Sequence, residues 1–349
     1  MLLSIIIPCF NVSQKVIPLL DTLSLIKSCD IEFIFVDDGS DHEEHLALSE
    51  LLYKKLGNVQ LYIQINKGPG AARNLGTRKS RGEYVWFVDA DDNLNPSAID
   101  TLREAKCHNF DFIDFKISKR EISSSSMTLG QGAHIASDEN RSQLIYCFGR
   151  LCTKIFNKSF ITKNGLFYPE RCIYEDNFLA MAMPFYVSEF LISGTIGYYH
   201  NISRNSITRP ASSIIEPRYF DRLVTARESA ARCLSLCKNE DERHATLEKF
   251  RRQFLMVTTA KIIKSGSSEM LLSSLYSAYK FVIEEFLKSK DVHDEFIDAR
   301  KLLIHASGAD KQRVMQAWDS SLPDEKAMTD FVQGRDEAWG GEVDFPVFM

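Results

Sequence analysis

The N-terminal third of the chain alternates short apolar runs with amphipathic segments, and this alternation restricts the fold more than any other feature. The apolar runs are hydrophobic throughout, which is typical of strands in a parallel sheet that is covered on both faces. The amphipathic segments between them are long enough to be helices that connect parallel strands. The predicted strands are 2–7, 31–36, 59–65, 84–88 and 110–115, and the predicted helices are 14–27, 43–55, 71–79 and 96–105. We therefore predict an α/β fold with a mostly parallel sheet.

Composition and charge exclude several classes of protein. The 349 residues are 44% hydrophobic and 26% charged, as in soluble globular proteins. The net charge of −5, without a long basic block, argues against nucleic acid as a partner. None of the eight cysteines forms a Cys-x-x-Cys pair, so neither a zinc site nor a disulfide framework is expected. Pro8 interrupts the apolar N-terminus far short of the ~20 residues of a membrane span. We expect a cytoplasmic protein.

An acidic hexapeptide, Phe87 to Asp92, follows the fourth predicted strand. Its carboxylates stand where the strand leaves the sheet, at the edge at which open α/β sheets bind ligands. Asp89 and Asp91 could share a divalent cation, because hard cations prefer carboxylate oxygens and accept phosphate or water in their other positions. The alternative is an Asp-rich turn that caps the next helix.

Three further polar loops follow the first three predicted strands, and a parallel sheet brings all four loops to one edge. In these loops Phe10 could stack on a nucleobase and Asp38 could accept a hydrogen bond from a base N–H. Arg73, at a helix start, could bind a diphosphate. Taken singly, a core phenylalanine, an Asx turn and a surface arginine are the alternatives. The convergence of the loops favours a binding cleft.

The segment Gly68-Pro-Gly70-Ala-Ala-Arg73 also suggests a Rossmann-type dinucleotide site, since it follows a strand and opens a helix. However, Arg73 occupies the third glycine position, and the motif follows the third strand rather than the first. A dinucleotide enzyme is therefore a minor alternative.

Four segments stand at the ends of the predicted strands and around them: Ser4-Ile-Ile-Ile-Pro-Cys-Phe-Asn11, Val36-Asp-Asp-Gly-Ser40, Gly70-Ala-Ala-Arg-Asn-Leu-Gly76 and Gly82-Glu-Tyr-Val-Trp-Phe-Val-Asp-Ala-Asp-Asp92. Together, in order and in spacing, they resemble family-2 glycosyltransferases of the GT-A fold. The resemblance implies a Rossmann-like, mostly parallel central sheet with helices on both faces. Beyond about residue 212 the pattern shows no strand and predicts an all-helical C-terminal region, with helices over 214–237, 241–264, 268–288 and 294–305. We expect a catalytic domain over 1–210, divided into a nucleotide-sugar part (1–120) and an acceptor part (121–210). A helical domain (211–325) and a loosely ordered tail (326–349) would follow.

The resemblance further implies inverting sugar transfer from a nucleotide-sugar, assisted by Mg²⁺ or Mn²⁺. Asp91 would be the principal metal ligand, and Asp89 would hold the ribose or the metal. The family usually has Tyr where Phe10 stands, a change that keeps stacking but loses the hydroxyl. The residues expected to bind the nucleotide-sugar are Pro8, Phe10, Asn11, Asp38, Gly70, Arg73, Asp89, Asp91 and Arg204.

The catalytic base is expected in the second half of the chain. Glu175 and Asp176 resemble the family's acidic pair, in which the Asp deprotonates the acceptor hydroxyl. The alternative for Asp176 is a helix N-cap. In a later segment that resembles the family, Arg204 could cover the diphosphate and His200 could reach the metal.

The resemblance favours a UDP-sugar donor and a glycan or lipid-linked acceptor in cell-surface polysaccharide synthesis. A non-catalytic nucleotide-sugar-binding module is the alternative. A nucleotidyltransferase is disfavoured, because no glycine- and lysine-rich phosphate loop follows the first strand. The C-terminal helices leave membrane contact, acceptor binding and homo-oligomer formation open. One predicted helix carries an apolar stripe of Leu247, Phe250, Phe254 and Val257 beside Arg251, Arg252, Lys261 and Lys264. Packing of that stripe on the protein is the favoured interpretation.

Overall fold

A computed structural model describes residues 1–56, 59–119, 122–124, 127–201, 216–251, 341 and 343–347. Its strands are β1 (Leu3–Cys9), β2 (Ile31–Asp37), β3 (Val59–Ile63), β4 (Tyr84–Phe87), β5 (Asn93–Leu94), β6 (Phe112–Lys119), β7 (Ile122–Ser124), β8 (Gly132–Ile135), β9 (Lys154–Asn157) and β10 (Glu189–Tyr199). Its α-helices are α1 (Ile17–Ser24), α2 (His42–Lys55), α3 (Gly68–Lys79), α4 (Ser97–Ala105), α5 (Arg141–Cys147), α6 (Lys158–Lys163), α7 (Asp176–Ala182), α8 (Glu216–Leu234) and α9 (Glu240–Lys249).

The strands form one sheet in the order β3-β2-β1-β4-β9-β6-β10-β5, with β7 beside β6 and β8 beside β10. The first four strands run parallel, and so do β6 and β10. The predicted α/β architecture with a mostly parallel central sheet is confirmed. The carboxyl ends of β1, β2, β3 and β4 therefore meet at one edge, as the strand pattern required.

One central strand, β9, falls in the stretch 151–201, where the sequence indicates short strands without defining their bounds. It lies antiparallel between β4 and β6, so the strand expected at 110–115, which is found as β6, is not the direct neighbour of β4. All four residues of β9 are buried. A strand this short shows no periodicity of its own, and its position is set by pairing with its neighbours.

Helix α3 lies directly against β1 because Gly76 has no side chain. A Cβ at Gly76 would approach Cγ2 of Ile6 to 2.3 Å. Ile6 itself is fully buried in β1, where each such side chain contributes about 1.5–3 kcal/mol to folding. This close contact sets the distance of α3 from β1, and α3 also carries Gly70 and Arg73.

Pro8 occupies a central strand, where its missing N–H would normally leave a gap in the hydrogen-bonded ladder. It pairs with Val36 of β2, but the pairing of β1 with β4 ends two residues earlier, at Ile6 and Phe87. The proline thus stands where β4 separates from β1. The two strands part at the edge that carries the predicted site.

The chain divides into two compact units, one of Met1–Ser137, Cys147–Ser203 and Val343–Met349 and one of Asp138–Tyr146 and Arg204–Glu342. The central sheet belongs to the first unit. In the second, α8 and α9 agree with the predicted helices 214–237 and 241–264, while the two later helices lie outside the described residues.

In the second unit, α9 begins at a clear cap. The side chain of Asn239 accepts a hydrogen bond from the N–H of Glu242. Leu247 and Phe250 of the predicted apolar stripe are fully buried. The rest of the stripe lies outside the described residues. No helix in the described part of the chain is long and apolar enough to cross a membrane.

Candidate active site

The acidic loop after β4 is held by its last carboxylate, Asp92. This side chain is buried and accepts hydrogen bonds from the Tyr198 hydroxyl (2.8 Å) and from the N–H of Asn201 (2.8 Å). The Tyr198 hydroxyl in turn accepts from the N–H of Asp89 (3.2 Å). Tyr198 therefore connects both ends of the loop, and Asp92 orders the loop while Asp89 and Asp91 remain partly exposed.

His200 lies beside the same loop. Its Nδ1 is 3.1 Å from both carboxylate oxygens of Asp92. Nδ1 is therefore engaged by Asp92, and Nε2 is the ring nitrogen left to bind a metal, the arrangement common among metal-binding histidines. The role of His200 as a metal ligand stays a prediction.

Arg73 connects the acidic loop to the predicted catalytic pair. One terminal nitrogen of its guanidinium forms an ion pair with Asp89 (2.7 Å), and the other contacts Glu175. The guanidinium carbon lies 5.2 Å from the centre of the Tyr168 ring, a cation–π contact. Arg73 was expected to bind a diphosphate. Here it is engaged by two carboxylates, which it holds on either side of itself.

The predicted acidic pair divides into a buried and an exposed carboxylate. Burial raises the pKa of Glu175 to about 7, although the guanidinium of Arg73 opposes that rise. Asp176, the first residue of α7, is exposed. Tyr174 has a positive φ of 65°, so the chain turns sharply just before the pair. The turn separates the two side chains, one inward to Arg73 and one outward to solvent.

Gly70 permits the close approach of the segment that carries this pair. A Cβ at Gly70 would come within 2.3 Å of the carbonyl oxygen of Pro169. Nearby, Asn74 binds the backbone of Tyr168 twice, through Nδ2 to its oxygen and through Oδ1 to its N–H, both at 2.9 Å. The first turns of α3 thus position the segment before Glu175.

The loops after β1 and β2 carry the two residues that are predicted to contact the nucleoside. Phe10 follows β1 and is 43% exposed, so its ring is available for stacking. Asp38 is buried, and its Oδ1 accepts hydrogen bonds from Gln64 Nε2 (2.7 Å) and from the N–H of Lys67 (2.9 Å). Burial raises the pKa of Asp38 to about 6. The third loop therefore supports the carboxylate that was expected to bind the base.

Asn11 was expected to bind the nucleotide-sugar, but its amide contacts protein groups. Nδ2 donates to Asp41 and Oδ1 accepts from the N–H of Asp41, both at 2.9 Å. Asn11 also adopts a positive φ of 51°. Its contacts join the first two loops.

The acidic loop places the carboxylate of Asp91 near those of Asp89 and Asp92. Burial, together with the neighbouring carboxylates of Asp92 and Asp89, raises the pKa of Asp91 to about 6. A cation would relieve this repulsion. Within the described residues, no group of three or more His, Cys, Asp or Glu side chains is gathered as a metal centre. Metal binding by Asp89 and Asp91 stays a prediction.

Comparison with known proteins identifies the domain that carries these loops. Residues 4–173, just under half of the chain, match the model of Glycosyl transferase family 2. This stretch is similar to family-2 glycosyltransferase domains. It contains all four loops at the sheet edge and ends two residues before Glu175.

Two curated relatives of this family-2 domain come from Staphylococcus aureus. Poly(ribitol-phosphate) beta-N-acetylglucosaminyltransferase TarS is 25% identical over 227 residues, which are 62% of this chain and 38% of TarS. Poly(ribitol-phosphate) beta-N-acetylglucosaminyltransferase TarP is 31% identical over 172 residues, 47% of this chain and 51% of TarP. The chain thus matches about two-fifths to one-half of the length of these relatives.

A solved structure shows the same fold. The crystal structure of S. aureus TarS 1-349 in complex with UDP-GlcNAc aligns with a TM-score of 0.69 at 22% identity and covers 91% of each chain. The predicted GT-A fold of the family-2 domain is confirmed.

Sequence reasoning missed several residues that build the site. Tyr198, Asn74 and Gln64 position the acidic loop, the segment before Glu175 and Asp38, respectively. Tyr198 could have been suspected, since it stands two residues before His200, in the later segment that resembles the family. Asn74 and Gln64 gave no signal beyond their places in two of the loops. Arg204, expected near the diphosphate, lies outside the described residues.

Proposed function

We propose that this protein is a metal-dependent, inverting glycosyltransferase that moves a sugar from a UDP-sugar to a hydroxyl group of a glycan or lipid-linked acceptor. The observation that carries the proposal is the double contact of Arg73. One guanidinium touches Asp89 of the acidic loop and Glu175 of the predicted catalytic pair. One side chain therefore joins the loop proposed to bind the donor to the segment that carries the proposed base.

The relatives support the donor and acceptor classes. TarS and TarP are named as transferases of N-acetylglucosamine to poly(ribitol-phosphate), and the similar TarS structure contains UDP-GlcNAc. We accordingly propose UDP-GlcNAc as the first donor to test and a phosphate-containing cell-surface polymer as the first acceptor. Because UDP-sugars are made in the cytoplasm, we propose that the reaction takes place there.

The residues divide the reaction between them. Phe10 stacks on the base and Asp38 accepts a hydrogen bond from it. Asp176, exposed at the start of α7, takes the proton from the acceptor hydroxyl as that oxygen attacks the anomeric carbon. A single displacement from the face opposite the diphosphate inverts the configuration. Glu175, held by Arg73, keeps the start of α7 in place.

Asp91 is the residue proposed as the principal ligand of Mg²⁺ or Mn²⁺, with Asp89 or His200 as a second ligand. When bound, the cation would neutralise the charge that develops on the leaving diphosphate. Asp92 holds Nδ1 of His200 in the manner that leaves Nε2 available. Burial and the neighbouring carboxylates raise the pKa of Asp91. A cation bound there would offset the repulsion between these carboxylates, and this feature of the chain favours a cation at Asp91.

The test is a binding and transfer screen with UDP-, GDP- and CMP-sugars in the presence of Mn²⁺. We expect Asp176→Asn to retain donor binding and to lower transfer by about 10²- to 10⁴-fold, the usual contribution of a general base. Asp91→Asn should abolish the dependence of UDP binding on metal. Asp100→Asn, an exposed carboxylate on α4, is the matched control and should change neither property.

Three outcomes would contradict the proposal or part of it. If no nucleotide-sugar binds with Mn²⁺ present, the transferase proposal fails. Binding without any hydrolysis or transfer would favour the non-catalytic module instead. Full transfer by Asp176→Asn would remove that residue from the role of base.

A further inference from the structure

Asn11 and Asp41 join the loop after β1 to the loop after β2 through a reciprocal pair of hydrogen bonds. Nδ2 of Asn11 donates to Oδ2 of Asp41, and the N–H of Asp41 donates to Oδ1 of Asn11, both at 2.9 Å. The N–H of Asn11 also donates to Oγ of Ser40 at 2.9 Å. Three bonds thus converge on one asparagine.

Both partners give up a locally favourable arrangement to make this contact. Asn11 adopts the left-handed backbone conformation, which is costly for residues other than glycine and least costly for Asn and Asp. Asp41 is the N-cap of α2, yet its carboxylate caps no N–H of that helix and binds Asn11 instead. Locally unfavourable conformations and unused helix caps tend to cluster at functional sites, and here both occur at one contact.

The contact lies between the two groups that are proposed to recognise the base. Phe10 immediately precedes Asn11, and Asp38 stands three residues before Asp41. A second link strengthens the connection, since the N–H of Ser13 donates to the carboxylate of Glu44 at 3.0 Å. The two loops are therefore fastened on the far side of Phe10 and Asp38 from their strands.

We propose that the Asn11–Asp41 pair is a positioning device for base recognition, which holds the ring of Phe10 and the carboxylate of Asp38 at a fixed spacing before the nucleotide arrives. The ligand is a nucleoside diphosphate whose pyrimidine carries an imide N–H, that is, uracil. A rigid spacing makes the carboxylate reject cytosine, which has no such donor. This inference rests on the proposed nucleotide-sugar function.

The amide of Asn11 acts through its neighbours, because both of its polar atoms are already bonded to Asp41. Asn11 is therefore a positioning residue. Loss of the pair should weaken binding of the donor and relax the choice of base, while the chemical step at saturating donor proceeds at its normal rate.

The test uses single variants and one exchange. Asn11→Gly keeps the backbone conformation and removes the amide, and Asp41→Ala removes the carboxylate. Asn11→Asp places two carboxylates opposite each other. The double variant with Asn11→Asp and Asp41→Asn restores an amide donor opposite a carboxylate acceptor. We expect each single variant to weaken UDP binding by about tenfold, as coupled neighbours do, and the double variant to recover most of the loss.

Two kinds of measurement and one control variant distinguish a positioning role of the pair from a general effect of the substitutions on folding. UDP and CDP affinities by calorimetry should show a reduced preference for UDP in the single variants. Steady-state kinetics should show a raised KM for the UDP-sugar with an unchanged kcat. The matched control is Asn109→Gly, which removes another left-handed asparagine whose Oδ1 accepts from Asn157 at 2.8 Å. Asn109 precedes β6, at the opposite edge of the sheet, and the control should bind UDP normally.

The outcomes are distinguishable. If Asn11→Gly and Asp41→Ala bind UDP with unchanged affinity and unchanged preference over CDP, the inference is wrong while the proposed function stands. If the folded double variant recovers nothing, the reciprocal pair is not the cause and the inference also fails. If the wild-type protein binds no nucleotide with Mn²⁺ present, the proposed function itself fails.

Discussion

Arg73 and Glu175 form an ion pair although they are 102 residues apart in the sequence. Only 11% of the Arg73 side chain and 7% of the Glu175 side chain are exposed. A buried carboxylate needs a partner, and this partner also binds Asp89. The pair therefore couples the stability of the segment that carries the predicted base to the position of the acidic loop.

Replacement of Arg73 tests this coupling. Arg73→Lys keeps the charge but cannot bind two carboxylates with a rigid planar fork. We expect about a 10²-fold loss of transfer, comparable to other displacements of catalytic groups. Arg73→Met removes the cation that pairs with the buried carboxylate of Glu175. We expect this variant to lower the free energy of unfolding by about 3–5 kcal/mol. Arg78→Lys, on the exposed side of the same helix, is the control for both assays. Wild-type transfer by Arg73→Lys would show that a bridging guanidinium is unnecessary.

Gly70 should be essential for activity because the structure has no room for a larger side chain at this position. In Gly70→Ala the new Cβ would meet the carbonyl oxygen of Pro169 at 2.3 Å, so the segment before Glu175 must move. We expect a loss of transfer greater than the loss of thermal stability, measured side by side. Gly130→Ala is a matched control, because a Cβ there meets nothing within 4 Å. Equal behaviour of the two variants would contradict the packing argument.

The sequence predicted the strands and the loops of this site because both depend on local patterns. Apolar runs such as Leu3–Cys9 identify buried strands, and parallel strands bring their carboxyl ends to one edge. The bounds of the short strand β9 escaped prediction because the position of this strand depends on pairing with β4 and β6. The Arg73–Glu175 pair escaped for a related reason: sequence spacing carries no information about which distant charges meet.

The glycine-rich segment from Gly68 to Arg73 contains a glycine that the fold needs, but the structural reason differs from the one that the motif suggested. Gly68 to Arg73 was considered as a phosphate-binding turn, with Arg73 in the place of the glycine that allows close helix packing. In the structure Gly76 permits that packing against Ile6, and Gly70 accommodates Pro169. The glycines are required, but by contacts with residues from elsewhere in the chain that no local motif describes.

Tyr198→Phe removes one hydroxyl from the acidic loop. The hydroxyl accepts from the N–H of Asp89 and donates to Asp92, so its loss leaves a donor and an acceptor without this partner. We expect a decrease of about 1–3 kcal/mol in the free energy of unfolding. Mn²⁺-dependent binding of UDP should also weaken, because Asp89 and Asp91 lose their support. Tyr199→Phe, one residue further along β10 and partly exposed, is the control. Unchanged metal dependence in Tyr198→Phe would limit the hydroxyl to a structural role.

Asp38 should connect pH to both stability and base recognition. Its pKa is raised by burial from 3.8 to about 6, so the folded state holds this proton more tightly than the unfolded state does. Between about pH 4 and pH 6 the contribution of Asp38 to stability therefore falls as pH rises, and above pH 6 the buried charge is a full cost. Asp38→Asn removes that cost while its amide oxygen can still accept from Lys67 and Gln64. We expect the variant to melt at a higher temperature than the wild type at pH 7.5, with a difference that shrinks toward pH 4.

Uridine binding should show the opposite dependence on pH. The ionised carboxylate of Asp38 is the stronger acceptor for the imide N–H, so the wild-type affinity for uridine should fall as pH drops through about 6. Uridine has no diphosphate and needs no metal, which separates this effect from the titration of Asp91. The affinity of Asp38→Asn should be lower at pH 7.5 and nearly independent of pH, as measured by NMR titration of the nucleoside. A parallel pH profile for the two proteins would show that another group titrates, and Asp38 would then have no part in reading the base.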